Sequence, residues 1–391
     1  MSYWQYYDSK FGWDTPAGLM EPDIEKVIES FIHAGYELEQ AKELVKSGFI
    51  YIPEANIVID RYYGGALSSS NFKNRFPLEQ TKEILDREAC SQVWVKNAKS
   101  MEDLEAIVRD AKESVRGEIL FRGQNENYSL KRSVINPNYY VPEFGEVSLV
   151  PSLWRKMLDH TPYYFREFEN LELFEWSRIL DNQFDLNEME ARQKILAEQG
   201  EYLFTMSDME DCSDPVLREF GKFRLDLSMN LDWALATTLS TMLQHYGLYS
   251  PVLDLSSSLD VALFFATHKY TNLESGSKYD FIGTNNGKAV LYLIREDRKE
   301  MERHDRDCFA IKNFEPLRPI KQDCVVCRSG AYAVNLAADF LEGIIVLDFN
   351  LSETEARLSQ ADLFPTEKED VFLKALKSSK KVESRVTEFI S

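Results

Sequence analysis

The chain has 391 residues, 44% of them hydrophobic and 13% aromatic, and a formal net charge of -20. This apolar content excludes global disorder, and the length allows two or three domains. So much negative charge repels a phosphate backbone and argues against non-specific nucleic-acid binding, although it still allows a local basic groove.

The cysteines and the first residues predict a soluble protein of the reducing cytoplasm. The five cysteines are scattered and do not form a disulfide framework. The opening residues lack the basic and apolar regions of a signal peptide. No apolar run reaches the roughly 20 residues that a membrane helix needs, so no membrane partner is expected.

Residues 1–95 are predicted to form an accessory N-terminal region of helices and a short hairpin. The stretch 22–45 has apolar residues at helical spacing. Gly35 divides this stretch and Gly48 follows it in the position of a C-cap, which predicts two helices. The stretch 49–62 is rich in β-branched residues and contains a turn, which predicts extended chain.

The rest of the chain is predicted to combine helices and short strands at irregular spacing. Helices are predicted at 100–115, in much of 147–210, and at 230–246, 259–270 and 366–376. Strands are predicted at 119–121, 252–254, 289–294 and 344–349. The stretch 278–288 predicts a loop. Such irregular spacing indicates an α+β fold rather than a regular βαβ winding.

The tetrapeptide 121–124, Phe-Arg-Gly-Gln, is the first candidate for function. Arg122 directly follows a predicted strand, where its guanidinium can offer two parallel hydrogen bonds to a carboxylate or a phosphate. Gly123 would let a ligand come close. An ion pair with one of the many acidic residues is the alternative, and the tripeptide alone favours it.

The second candidate, residues 253–266, has the order strand, hydroxyl-rich turn, helix. Ser257 or Ser258 is placed to cap the helix, which requires no ligand. The alternative is that the hydroxyls of Ser256, Ser257 and Ser258 contact a nucleotide or position the arginine. Asp254 is either a partner of that arginine or a core acid satisfied by backbone amides.

Together these segments resemble the FRG domain, which is named for its Phe-Arg-Gly motif. The resemblance rests on 121–124, on Gln-His-Tyr-Gly-Leu at 244–248, on Leu253-Asp254 with the serines that follow, and on Ala-Leu-Phe-Phe-Ala at 262–266. Shorter similarities lie at 151–155 and 363–365. The domain is thus expected at about 100–376, with 377–391 as a tail.

The FRG pattern is in turn similar to the Arg-Ser-Glu class of ADP-ribosyltransferases. That resemblance implies a split β-sheet with flanking helices and NAD as the cofactor. It implies catalytic roles for His245 and Ser257. It implies that NAD is bound by Arg122, Gly123, Gln124, Tyr246, Asp254, Ser256, Ser258 and Arg328. For His245 the alternative is a structural role at a helix end, and for Tyr246 it is core packing.

The sequence departs from both families at two positions. Pro251 stands where FRG domains usually have arginine, and Arg328 stands where a transferase has its glutamate. Two hypotheses therefore stay open. One is an NAD-dependent transferase or hydrolase acting on a macromolecule, in the bacterial or phage-linked toxin and defence setting that the resemblance implies. The other is a non-catalytic module that binds a nucleotide or a regulatory protein.

Two further expectations concern metal and partners. The CxxC at 324–327 lacks a companion pair at zinc spacing and reads as a strand, so no metal site is predicted. A third hypothesis for the whole chain is a structural role in a complex, with its acidic surface against a basic protein.

Overall fold

The computed structural model describes most of the chain, in separate stretches. These are residues 24–54, 56–60, 75–81, 93–151, 184–229, 244–248, 253–298, 301–304, 316–327, 340–378, 383 and 386–390.

The described helices lie in all parts of the chain. They are α1 (Ile24–His33), α2 (Leu38–Lys46), α3 (Met101–Ser114), α4 (Leu186–Glu198), α5 (Met206–Asp211), α6 (Pro215–Met229), α7 (Leu259–Thr267), α8 (Leu317–Lys321), α9 (Gln360–Leu363) and α10 (Val371–Ser378). None of these helices is both long and apolar enough to cross a membrane.

The described strands form one large sheet and three small ones. They are β1 (Phe49–Ile52), β2 (Ile57–Asp60), β3 (Arg75–Pro77), β4 (Trp94–Ala98), β5 (Ile119–Gln124), β6 (Tyr140–Val141), β7 (Gly145–Glu146), β8 (Asp254–Ser256), β9 (His268–Leu273), β10 (Gly276–Phe281), β11 (Val290–Arg295), β12 (Met301–Arg303), β13 (Cys324–Cys327) and β14 (Leu341–Leu347).

The large sheet has seven strands in the order β12-β13-β8-β5-β11-β14-β4. Its pairs are antiparallel except for β14 with β4, which is parallel. The α+β class is therefore confirmed. Among the described strands, β9 with β10, β6 with β7, and β1 to β3 form separate small sheets.

Both faces of the large sheet are covered by apolar side chains. Alternate residues of a strand point to opposite faces, so β5 and β11 contribute to both sides. One face packs around Leu120, Tyr292 and Ile294 together with residues that flank and form β6 and β7. The other packs Phe121, Leu291 and Leu293 against α3 and α7. Strand β5 is consequently a buried central strand.

A buried ion network joins the N-terminal elements to the main domain. Arg132 donates from Nη1 to Asp60 Oδ1 at 2.9 Å and from Nη2 to Asp60 Oδ2 at 2.6 Å. It also donates from Nε to Glu146 Oε2 at 3.0 Å, and Asn136 Nδ2 donates to Asp60. Burial disfavours the charge, but the two carboxylates outweigh it and raise the pKa of Arg132 well above its ordinary value. Strand β2 is thus tied to β7.

Several sequence predictions are confirmed in this region. The two predicted N-terminal helices are α1 and α2, with Gly35 and Gly48 at φ of 93° and 91°. Ser100 caps α3 by accepting a hydrogen bond from the Asp103 amide at 3.2 Å, as its position predicted.

Two element predictions were wrong. The helix predicted at 259–270 ends at Thr267, and the next residues form β9. The loop predicted at 278–288 begins within a strand, because β10 pairs with β9 from Gly276↔Leu273 to Phe281↔His268. The ladder of this hairpin outweighs both the helical periodicity and the turn-forming composition. Most of the helix predicted at 230–246 lies outside the described residues.

Candidate functional site

The sequence predicted that Arg122 directly follows a strand. In the structure it lies within the central strand β5. The strand continues to Gln124 because β11 pairs with it over its whole length, and Arg122 lies opposite Tyr292. The side chain of Arg122 is only 19% exposed. The Arg122 side chain is therefore largely buried within the fold.

Asp254, at the start of the neighbouring strand β8, is the partner of Arg122. Nη1 of Arg122 donates to the Asp254 backbone oxygen at 2.6 Å and to Oδ1 at 3.1 Å. Nε2 of Gln244 also donates to Oδ1, at 3.3 Å. Burial would raise the pKa of Asp254, but the charge of Arg122, helped by its hydrogen bond, holds this pKa below its ordinary value. Asp254 is thus an ionised carboxylate that fixes one side of the guanidinium.

The other side of the Arg122 guanidinium has no such partner among the residues that the structure describes. Both of its hydrogen bonds leave from Nη1, and Nε is buried without a hydrogen bond to any described residue. Gln124 lies two residues further along the same strand, and its Oε1 is also buried without a described partner. Residues two apart on a strand face the same side. A donor and an acceptor therefore lie unused on one face of β5.

Gly123 lets β5 pack directly on helix α7. A Cβ at this position would overlap the Ala262 carbonyl oxygen and lie 2.9 Å from the Ala266 amide nitrogen. The alanines at 262 and 266 leave room for this approach, since larger side chains would separate the helix from the strand. The close approach is therefore between backbone and backbone, and Gly123 itself faces α7.

The three serines make hydrogen bonds within the fold. Ser256 Oγ donates to the Gln322 backbone oxygen at 2.9 Å and accepts from the Ser258 amide. Ser257 donates from its amide to the Asp323 carbonyl oxygen at 2.9 Å. Ser258 caps α7 by accepting from the Val261 amide at 3.4 Å. The bonds of Ser256 and Ser257 connect the turn after β8 to the segment before β13. The capping alternative is confirmed for Ser258, one of the two serines that it named.

His245 and Tyr246 are both buried, and His245 lies near Asp254. The Nε2 atom of His245 lies 3.1 Å from Cys324 Sγ. Burial lowers the pKa of His245, and the nearby Asp254 only partly opposes this. Tyr246 donates its hydroxyl hydrogen to Asp370, and burial raises its pKa well above the ordinary value. Both side chains are packed in the interior, and Arg328 lies outside the described residues.

The burial of His245 predicts a loss of stability in mild acid. Its folded pKa is depressed, so the unfolded chain binds more protons just below pH 6.5, and unfolding becomes easier as the pH falls. In urea unfolding, the free energy of unfolding should decrease from pH 7.5 to pH 5.5 by less in His245→Gln than in wild type. The difference should not exceed about 1.4 kcal/mol per pH unit. His268, whose pKa is also lowered by burial, remains in both proteins. Equal decreases would contradict the prediction.

Sequence reasoning missed Arg318, which lies behind the candidate site. Its side chain is 1% exposed, and it donates from Nη1 to the His245 backbone oxygen at 3.2 Å. The guanidinium carbon lies 4.7 Å from the centre of the Tyr246 ring. Burial lowers the pKa of Arg318. A separation of 73 residues in sequence leaves no local signal for this contact.

Comparison with known proteins supports the FRG assignment. The FRG domain model matches residues 117–275, so the chain contains an FRG domain. This span includes Arg122, Asp254, the three serines and the 244–248 turn. No curated protein and no solved structure matches the chain. Within the described residues, no group of three or more His, Cys, Asp or Glu side chains could hold a metal ion.

Proposed function

We propose that this FRG domain is a binding module for a dinucleotide of the NAD class, recognised at β5 and β8. The observation that carries the proposal is the unused Nε of Arg122, buried beside a fixed Nη1 edge. Arginine binds phosphate and carboxylate through paired donors. A buried donor without a partner is costly, so a ligand that supplies the missing acceptor gains that energy on binding.

Gln124 extends the same face toward a second ligand group. Its buried Oε1 is an acceptor, whereas Arg122 supplies only donors. NAD offers both kinds of partner, because its diphosphate accepts hydrogen bonds and its carboxamide and ribose hydroxyls donate them. Asp254 keeps the guanidinium in place while one edge remains for the ligand.

The engagement of the other motif residues favours binding without turnover. The hydroxyl of Ser256 donates a hydrogen bond to a backbone carbonyl oxygen, and His245 is buried with a lowered pKa. These groups act here as structural parts of the binding site. An ADP-ribosyltransferase-like fold and a toxin or defence role follow from the resemblance alone. A transfer or hydrolysis reaction is the alternative that the same experiment addresses.

The test is to titrate wild type and two conservative variants with NAD and to measure the affinity by isothermal titration calorimetry. Arg122→Lys keeps the charge but removes the paired donors, and Gln124→Leu removes the acceptor at similar volume. Each should weaken binding about tenfold or more, since hydrogen bonds to charged groups contribute about 1.5–3 kcal/mol. Arg357→Lys is the matched control, because Arg357 is exposed and pairs with Asp260.

Three outcomes would change the conclusion. Wild-type affinity in both site variants would place the ligand elsewhere, and no binding by wild type would exclude NAD. If wild type releases nicotinamide from NAD and Arg122→Lys does not, the domain is catalytic. The transferase or hydrolase hypothesis would then replace the binding-module hypothesis. Thermal melts of each variant separate loss of binding from loss of folding.

A further inference from the structure

Residues 386–390, here called the strap, add a short strand to the edge of β10. Ser277 forms a parallel bridge with Phe389. Its amide donates to the Glu388 carbonyl oxygen at 2.7 Å, and its own carbonyl oxygen accepts from the Ile390 amide at 2.9 Å. Gln360 Nε2 donates to the Ile390 carbonyl oxygen at 2.8 Å. The strap is thus held through its backbone, as extended peptides are held at a sheet edge.

The side chain of Phe389 enters an aromatic slot. Its ring centre lies 4.1 Å from that of Phe364 and 5.6 Å from that of Tyr279, with which it is stacked. The guanidinium carbon of Arg318 lies 5.2 Å from the same ring. Stacked rings and a buried cation give this position a preference for an aromatic side chain.

Thr387 connects the strap to the 244–248 turn. Its amide donates to the Tyr246 carbonyl oxygen at 2.8 Å, and its carbonyl oxygen accepts from Arg318 Nη2 at 3.0 Å. The same guanidinium holds the His245 carbonyl oxygen. A Cβ on Gly247 would overlap Thr387 Oγ1 and lie 2.7 Å from its Cβ. The strap can therefore lie at this position only because residue 247 is a glycine.

Residues 388 and 390 of the strap make contacts of two further kinds. Glu388 is exposed and pairs with Lys377 at 2.7 Å, where an acidic residue is favoured weakly. A Cβ on Gly276 would lie 2.7 Å from Ile390 Cγ2, so the absence of a side chain at 276 admits a β-branched residue at 390. The surface that holds the strap, here called the groove, is formed by β10, Arg318, Phe364 and the 244–248 turn. It matches the pattern small hydroxyl, acid, aromatic, β-branched over residues 387–390.

We propose that this groove is a peptide-recognition site of the domain, occupied in cis by the strap. The partner that it fits is an extended segment with the same four-residue pattern, which binds in exchange for the strap. Such an exchange would also act on the 244–248 turn, because Thr387 and Arg318 hold its backbone. The inference is independent of the dinucleotide proposal, since it rests on the contacts of the strap alone.

The test uses a protein ending at residue 385 and a fluorescent synthetic peptide of residues 383–391. Anisotropy should show saturable binding to the shortened protein. Binding to the full chain should be roughly a hundredfold weaker, because a tethered strap competes at millimolar effective concentration. Phe389→Ala in the peptide should weaken binding about tenfold or more. Glu388→Gln should weaken it less than about fivefold, since the ion pair is exposed.

The outcomes decide the proposal in either direction. Absence of peptide binding to a folded shortened protein, or equal binding to both proteins, would overturn it. If the shortened protein does not fold, a full chain with a protease site placed between Ser378 and Val386 is cut instead. Unfolding on cutting would show that the strap is an inseparable part of the core and would overturn the proposal. A concentration-dependent dimer that the peptide dissociates would support the groove, with the strap of a second copy as its occupant.

Discussion

Replacing Arg132 by alanine is expected to lower the free energy of unfolding by about 3–5 kcal/mol. The guanidinium is 4% exposed, and its partners Asp60 and Glu146 are completely buried. Removal of the cation leaves two carboxylates close together without a counter-charge in a low-dielectric setting. The expected defect is therefore much larger than that of a surface ion pair, and it would loosen the N-terminal elements from the main domain.

Urea unfolding followed by circular dichroism measures this effect. Arg295→Ala is the control for an exposed pair, because Arg295 is 40% exposed and pairs with one carboxylate, that of Glu342. That control should lose less than about 1 kcal/mol. A loss in Arg132→Ala no larger than in Arg295→Ala would mean that the network contributes little to stability.

Substitution of Gly123 by alanine should cost at least about 3 kcal/mol. The added Cβ would meet the backbone of Ala262 and Ala266, and neither can rotate away as the end of a flexible side chain would. Helix α7 would have to move off β5, and the Arg122–Asp254 contact would move with it. Affinity for the proposed dinucleotide ligand should therefore fall together with stability in this variant.

Gly35→Ala is the control for Gly123→Ala. Gly35 has a φ of +93° and, among the described residues, no atom within 4 Å of an added Cβ, so alanine there brings backbone strain without a clash. Its cost should be about 1–2 kcal/mol. A melting temperature for Gly123→Ala no lower than that of Gly35→Ala would contradict the close packing of α7 on β5.

Much of the fold was predictable from local signals. The N-terminal helices, the cap at Ser100 and the apolar strands near 290 and 344 follow from periodicity and capping, which act within a few residues. The β9–β10 hairpin was missed because its strands contain lysine, tyrosine and asparagine instead of a clear apolar alternation. The hairpin also packs against the strap and the Phe364 ring, which are distant in sequence.

The candidate site was also predictable only in part, where local sequence motifs specify it. The motif identified Arg122 and Asp254, and the structure brings them into contact. The motif also named Ser256, His245 and Tyr246, but it could not show that their polar atoms bind carbonyls, a thiol and a carboxylate inside the fold. Arg318 was invisible because a buried arginine in an aromatic setting has no sequence signature, and its role depends on contacts 69 and 73 residues away.

The strand order of the large sheet has a practical consequence for dissecting this protein. Of its seven strands, only β5 and β8 fall within residues 117–275, while β4, β11, β12, β13 and β14 lie outside. A fragment cut at the limits of the family match would leave β5 with a bare, apolar edge where β11 belongs, which invites aggregation. Expression boundaries should therefore enclose all seven strands, from Trp94 to Leu347, and deletion mapping between those two residues will report misfolding instead of lost contacts.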